Sequence, residues 1–102
     1  MYKLEILPIA KKDIDNIVSY IANNLKNPSA ARNLVQKIIY EFNLILEFPY
    51  GSSIYIPLKK LNYEYRSTKV KNFLIFYTID ESKKTITIIR ILYEKMNIHN
   101  II

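Results

Sequence analysis

The sequence predicts an α+β fold: an N-terminal strand, an antiparallel two-helix hairpin packed on one face of a mostly antiparallel four-stranded sheet, and a short C-terminal tail. Three observations predict it. Residues 2–7 alternate apolar and charged side chains, residues 14–45 carry apolar side chains at helical spacing, and residues 63–93 hold apolar runs separated by short polar turns. A chain of 102 residues suits one domain with one core, so residues 1–102 are expected to form a single domain.

The first strand and first helix follow from the opening residues. Alternation places Tyr2, Leu4 and Ile6 on one face of a strand. Pro8 ends this strand and suits the first turn of a helix, where its missing N–H is not needed, although Leu7 is a poor N-cap. The first helix is expected to expose Asp13 and Asp15 and to bury Ile14, Ile17, Val18, Ile21 and Leu25.

A polar segment, residues 23–29, predicts the break between the two helices. Asn27 can cap the second helix and Pro28 can occupy its first position, while Phe48-Pro49 ends it. Two helices joined by so short a link are expected to lie antiparallel. The buried positions predicted for the second helix are Ala31, Leu34, Val35, Ile38, Phe42 and Ile45.

The second half of the chain predicts the sheet. Residues 73–79 are apolar on both alternating sets, which is typical of a central strand covered on both faces. Residues 85–93 are rich in β-branched side chains and follow a polar turn, so they are the expected hairpin partner. Arg90 is the exception in this strand. Alternation assigns it to the face of Ile86, Ile88 and Leu92, where a guanidinium needs an acidic partner such as Glu64 or Glu5.

Composition excludes several classes of site. Fifteen Lys and Arg against nine Asp and Glu give a formal charge of +6, which suits a phosphate backbone or an acidic protein partner. One glycine cannot build a phosphate-binding loop, and one histidine without cysteine makes a zinc site improbable, so neither a metal nor a cofactor is expected. No apolar run approaches the length of a membrane span, and no apolar leader precedes the first strand, which together predict a cytoplasmic location.

Cations interleaved with tyrosines are the remaining candidate site. Such a set can hold phosphates and stack unpaired bases, and it can support metal-free RNA cleavage if a lysine of lowered pKa acts as the base. We expect the set to line a hollow on the face of the sheet opposite the helices. The alternative is that these lysines lie in a charged turn and these tyrosines fill core edges. The set comprises Arg66, Lys69, Lys71, Arg90 and Lys95 with Tyr63, Tyr65, Tyr77 and Tyr93.

The order of these features resembles the RelE/ParE superfamily of toxins from bacterial type II toxin–antitoxin modules. The resemblance rests on the helical hairpin ending in Phe48-Pro49-Tyr50-Gly51, on Arg66, and on the segments 70–80 and 88–96. It implies two helices packed on a sheet opposite a concave face. It also implies an acidic antitoxin that wraps the basic domain, and autoregulation by the pair.

The resemblance implies two possible targets. RelE-like members cut mRNA in the ribosomal A site, whereas ParE-like members poison DNA gyrase. Phe73 and Met96 stand where the nucleases carry arginine, and the long hairpin resembles the ParE branch. We therefore expect a gyrase inhibitor, with a ribosome-dependent endonuclease or a non-toxic basic interaction module as the alternatives.

The candidate residues divide in the same way. If the chain is a nuclease, the resemblance implies as catalytic residues Arg66, Lys69, Lys71, Arg90 and Tyr93. For contact with a target or an antitoxin, the candidates are Tyr65, Tyr77, Lys95 and His99.

Overall fold

Residues 1–55, 64–96, 98 and 101 are described by this computed structural model, and within them the chain forms two helices and five strands. The helices lie between the first two strands in the chain, as predicted. A π-helical turn, Tyr20–Asn24, extends the first helix. The elements are β1 (Lys3–Ile6), α1 (Pro8–Ser19), α2 (Pro28–Glu47), β2 (Ser53–Ile54), β3 (Arg66–Val70), β4 (Phe73–Asp80) and β5 (Thr85–Tyr93).

The strands form one sheet in the order β1-β5-β4-β3-β2. β1 runs parallel to β5, with Lys3 beside Thr85 and Ile6 beside Ile88, and the other pairs are antiparallel. The predicted mostly antiparallel sheet is confirmed, but it has five strands instead of four. The additional strand is β2, which pairs only two residues with β3 and is too short to show an alternating pattern.

Both helices begin where proline predicted. Leu7 precedes α1 without a side-chain cap, whereas Asn27 Oδ1 accepts a hydrogen bond of 3.1 Å from the N–H of Ala30. α2 ends before Phe48, as predicted. Leu25 does not join the buried stripe and is 56% exposed, because the π-helical turn is wider than an α-helical one and ends at this residue.

Side chains from both helices pack on one face of the sheet, which we call the helix side. In α2, all the predicted stripe positions are buried except Val35, which is half-buried. The helix-side core contains Ala10, Leu34, Ile38, Phe42, Ile45, Val70, Ile75, Tyr77, Ile86, Ile88 and Ile91.

A second, smaller cluster covers the opposite face of the sheet. Phe76 and Leu92 are buried there together with Ile98 from the C-terminal tail, and Ile101 packs against them. Strand β4 is therefore covered on both faces, as its continuous apolar sequence predicted. The tail supplies part of that cover.

A bulge interrupts the pairing of β4 with β5. Tyr77 lies beside Ile88, but the residue before it, Phe76, lies beside Arg90. Ile89 is therefore the extra residue of the bulge. Beyond the bulge Leu92 belongs to the cluster opposite the helices. The predicted common face of Arg90, Ile88 and Leu92 is thus wrong, because strict alternation fails at an inserted residue.

Arg90 forms an ion pair with Asp13 of α1, and not with Glu64 or Glu5. Arg90 Nε and Nη2 donate to the two carboxylate oxygens at 2.8 and 2.9 Å, and the N–H of Ile91 donates to the same carboxylate at 3.0 Å. The Asp13 side chain is only 12% exposed, so its predicted exposure is also wrong. These hydrogen bonds raise the pKa of Arg90 and fasten α1 to β5 next to the bulge.

Glu81, in the turn between β4 and β5, joins three parts of the chain. Its carboxylate accepts hydrogen bonds from the hydroxyl groups of Tyr2 at 2.9 Å and Tyr50 at 2.6 Å, and from the Lys84 ammonium. The Lys84 hydrogen bond, followed by those of Tyr50 and Tyr2, lowers the pKa of Glu81 to about 2. The ionised carboxylate therefore links the start of the chain and the segment after α2 to this turn.

Replacing Glu81 by Gln should reduce the acid sensitivity of the fold. Because the folded pKa is lowered from 4.5 to about 2, the ionised group stabilises the protein above about pH 4.5, and this stabilisation is lost as the pH falls toward 2. Thermal unfolding followed by circular dichroism should give Glu81→Gln a lower Tm at neutral pH, with the difference from the parent shrinking across that window. Glu47→Gln, at an exposed position, is the control. A pH-independent difference would contradict this assignment.

Replacing Asp13 by Ala should destabilise the protein by about 2–4 kcal/mol, because Arg90 and the N–H of Ile91 lose their shared acceptor in a mostly buried position. Arg90→Met should cost less, since it also removes the charge. Urea unfolding is the measurement, and Asp15→Ala, exposed on the same helix, is the control. Equal effects of Asp13→Ala and Asp15→Ala would show that the ion pair contributes nothing to stability.

Candidate functional site

Arg66 holds the segment that follows α2. It begins β3 on the same side as Thr68, whose hydroxyl reaches Glu41 of α2, and it is therefore on the helix side. Its Nη1 donates to the carbonyl oxygen of Ser52 at 2.9 Å, and its guanidinium lies 4.9 Å from the centre of the Tyr50 ring. With only 13% of its side chain exposed, Arg66 is held by internal contacts.

Tyr77 lies directly across from Arg66 in the β3–β4 pair. It is fully buried, its hydroxyl donates to the carbonyl oxygen of Pro49 at 2.7 Å, and it shares a short hydrogen bond with Ser52 Oγ. Burial raises the pKa of Tyr77. The Tyr77 hydroxyl therefore anchors the segment that follows α2. Its side chain has no exposed surface that a target or an antitoxin could contact.

Lys69 and Lys71 lie elsewhere. Because Val70 enters the helix-side core, alternation directs Lys69 to the opposite face, where its ammonium lies 3.0 Å from the Glu94 carboxylate. Lys71 is exposed in the two-residue turn between β3 and β4, with a φ of 56°. Both lysines are accessible to a partner.

The remaining candidates lie near the ends of strands. Tyr93 is 39% exposed and meets the Phe73 ring edge-on at 6.0 Å, and Lys95 is exposed just beyond β5. Tyr65 is half-buried, and its carbonyl oxygen accepts a hydrogen bond from the N–H of Tyr55. His99 lies outside the described residues.

The structure does not assemble the predicted cationic hollow. Arg66 contacts the segment after α2 from the helix side of the sheet. Arg90 lies beside Phe76, which belongs to the opposite face, but its guanidinium is bound to Asp13 of α1. That face is filled instead by Phe76, Leu92 and Ile98. The prediction of one shared hollow is therefore wrong, because the alternation of β3 directs Arg66 to the helix side, and Asp13 of α1 binds the Arg90 guanidinium.

An apolar groove between the end of α1 and the β4–β5 pair is the feature that the sequence analysis missed. The cavity has a volume of about 840 Å³. Tyr20, Leu25 and Met96 are about half exposed along it, which is a large apolar surface for one domain. Leu25 and Met96 could have indicated this groove from the sequence, because both are apolar residues just beyond the ends of regular elements. We call it the α1–β5 groove, and its lining residues include Ile17, Tyr20, Ile21, Leu25, Phe73, Tyr93 and Met96.

No three histidine, cysteine or acidic side chains among residues 1–55, 64–96, 98 and 101 come together to hold a metal ion. Neither helix in this part of the chain is sufficiently long and apolar to span a bilayer.

Comparison with solved structures shows which fold this is. A chain of the chromosomal ParDE TA system from P. aeruginosa superposes with a TM-score of 0.71 at 21% identity, covering 91% of this chain and 96% of that one. The RelBE2 toxin–antitoxin complex from Mycobacterium tuberculosis gives 0.61 at 17% identity over 90% and 96%. The archaeal RelE–RelB complex from Pyrococcus horikoshii gives 0.56 at 16% identity over 92% and 96%. Such identities show a shared fold.

Comparison of the sequence itself identifies the family. A search of curated proteins found no match. The family model for the ParE toxin of the type II toxin–antitoxin system parDE matches residues 4–98, which is nearly the whole chain. The RelE/ParE resemblance is confirmed: this chain is a type II toxin and belongs to the ParE toxin family.

Proposed function

We propose that this toxin arrests growth in the cytoplasm by binding and inhibiting DNA gyrase, and that a cognate acidic antitoxin neutralises it. The observation that carries the proposal is the α1–β5 groove. Phe73 and Met96, at the two positions where the nuclease members of the superfamily carry arginine, both line this groove. An apolar groove suits a protein surface, because burying apolar area drives protein association.

A nuclease site has different requirements. The phosphorus centre becomes more negative in the transition state, so preorganised cations must lie beside it. Arg90 donates to Asp13, and Arg66 donates to the carbonyl oxygen of Ser52, so both would have to leave internal contacts to reach a phosphate. Lys69 is paired with Glu94 as well. This arrangement favours inhibition by binding.

Two observations support an acidic antitoxin: the positive net charge of this chain and the solved structures that resemble it. The chain carries a formal charge of +6, and exposed cations such as Lys71 and Lys95 suit an acidic segment. The similar structures from M. tuberculosis and P. horikoshii are complexes of a toxin with its antitoxin. We infer an acidic partner for this chain too, encoded beside it.

The decisive experiment compares the two targets with one protein preparation. Purified toxin should inhibit supercoiling by gyrase or trap cleaved DNA, while mRNA on translating ribosomes stays intact. Met96→Glu, which places a carboxylate in the groove, should weaken gyrase inhibition by about tenfold or more, since an unpaired charge in an apolar contact is costly. Ile39→Glu is the matched control, because Ile39 is 53% exposed on α2 outside the groove, compared with 47% for Met96.

Three results would contradict the proposal. Equal loss of inhibition in Met96→Glu and Ile39→Glu would remove the groove from the gyrase contact. Cleavage of mRNA in the ribosomal A site, abolished by Lys69→Ala or Lys71→Ala, would identify a nuclease. If expression of the chain without its antitoxin caused no growth arrest, the chain would instead be a non-toxic basic interaction module.

A further inference from the structure

A second cavity lies between the last turns of α2 and strands β3 and β4. We call it the α2–β3 pocket. Its volume is about 330 Å³. The residues that matter here are Glu41, Leu44 and Phe48 at the end of α2, Ser52 in the following segment, and Thr68 and Tyr77 in the sheet.

The polar side-chain atoms that line this pocket are oxygens. The Tyr77 hydroxyl donates its proton to the carbonyl oxygen of Pro49, and it shares a hydrogen bond with Ser52 Oγ. The Thr68 hydroxyl lies 3.5 Å from Glu41 Oε2, at the limit of a hydrogen bond. The hydroxyl oxygens of Ser52 and Thr68 still have lone pairs available to accept a donor.

Glu41 is a half-buried carboxylate without a cationic partner among the described residues. Arg66 contacts the same segment, but it does so through the carbonyl oxygen of Ser52 and it does not line the pocket. Leu44 is half-buried and Phe48 is 60% exposed, so the wall beside the carboxylate is apolar. A carboxylate next to an aliphatic and aromatic wall suits a ligand with a charged tip and an apolar stem.

We propose that the α2–β3 pocket binds an alkylammonium group, meaning a primary ammonium on an unbranched aliphatic stem such as that of lysine. The ammonium would donate to Glu41, to Thr68 Oγ1 and to Ser52 Oγ, while the stem packs on Leu44 and Phe48. These oxygens come from three different elements of the fold. A compact ammonium with three donors fits such a set better than a planar guanidinium, which prefers two parallel bonds to one carboxylate.

The inference is independent of the target of the toxin. The pocket shares no lining residue with the α1–β5 groove. The ammonium can come from a small free amine or from a lysine side chain of a protein partner, and both present the same chemistry. Loss of binding here would therefore leave the gyrase proposal intact, and the reverse also holds.

The test titrates the full chain with n-butylammonium chloride and follows the methyl signals of Leu44, Ile45 and Thr68 by NMR. One ion pair with a short stem should give a Kd on the order of 1–10 mM, weaker at high salt. n-Butanol is the matched control ligand, because it keeps the stem and lacks the charge. It should shift these signals only at much higher concentration.

Variants of single residues then test which side chains bind the ammonium group. Glu41→Gln should weaken n-butylammonium binding about tenfold or more, since it removes the charge but not the shape. Thr68→Val should weaken it less. Glu47→Gln, an equal change at an exposed position near the end of the same helix, should leave the Kd unchanged. Equal shifts with n-butanol and n-butylammonium, or an unchanged Kd in Glu41→Gln, would overturn the proposal.

A third arm identifies the source of the ammonium. A capped Gly-Lys-Gly peptide is compared with n-butylammonium under the same conditions. Tighter binding of the peptide identifies a partner's lysine side chain, because the peptide backbone then adds contacts at the mouth of the pocket. Tighter binding of n-butylammonium identifies a small amine. Either order supports the alkylammonium site.

Discussion

The position of α1 over the sheet depends on the ion pair between Asp13 and Arg90. Two hydrogen bonds join the side chains, and the N–H of Ile91 binds the same carboxylate, so one acidic residue fixes the helix to the strand next to its bulge. The α1–β5 groove is the space that this attachment leaves between the end of α1 and the β4–β5 pair. The same ion pair engages the guanidinium of Arg90. One ion pair therefore shapes the apolar surface and occupies a cation that a nuclease would need.

Local sequence signals correctly predicted both helices and four of the five strands. Pro8 begins α1, Asn27 caps α2, and Phe48 follows its end, because each effect acts within one helical turn. The apolar run of β4 correctly indicated a strand covered on both faces, since only such a strand tolerates apolar side chains on both alternating sets. These features depend on neighbours in the chain, so they can be read without knowledge of tertiary contacts.

Features that depend on distant residues could not be predicted. Ile89 becomes the extra residue of a bulge only because β4 sets the register, and nothing in its own sequence marks it. Asp13 looked like an ordinary exposed carboxylate until the fold brought it to Arg90, and Arg66 and Lys69 diverge because they are three residues apart in one strand. Composition indicated which residue types to consider, but it could not show which of these side chains lie together. Because one fold serves several functions, the function depends on where the site residues lie in the structure.

The parallel pairing of β1 with β5 brings together residues that are far apart in the sequence, since Lys3 lies beside Thr85. During translation β1 cannot find this neighbour before β5 has been synthesised. Such distant pairing folds slowly compared with the local helical hairpin. A nascent chain that stops before β5 lacks Arg90, the bulge and one wall of the α1–β5 groove. The α1–β5 groove thus forms only after β5 has been synthesised and has joined the sheet.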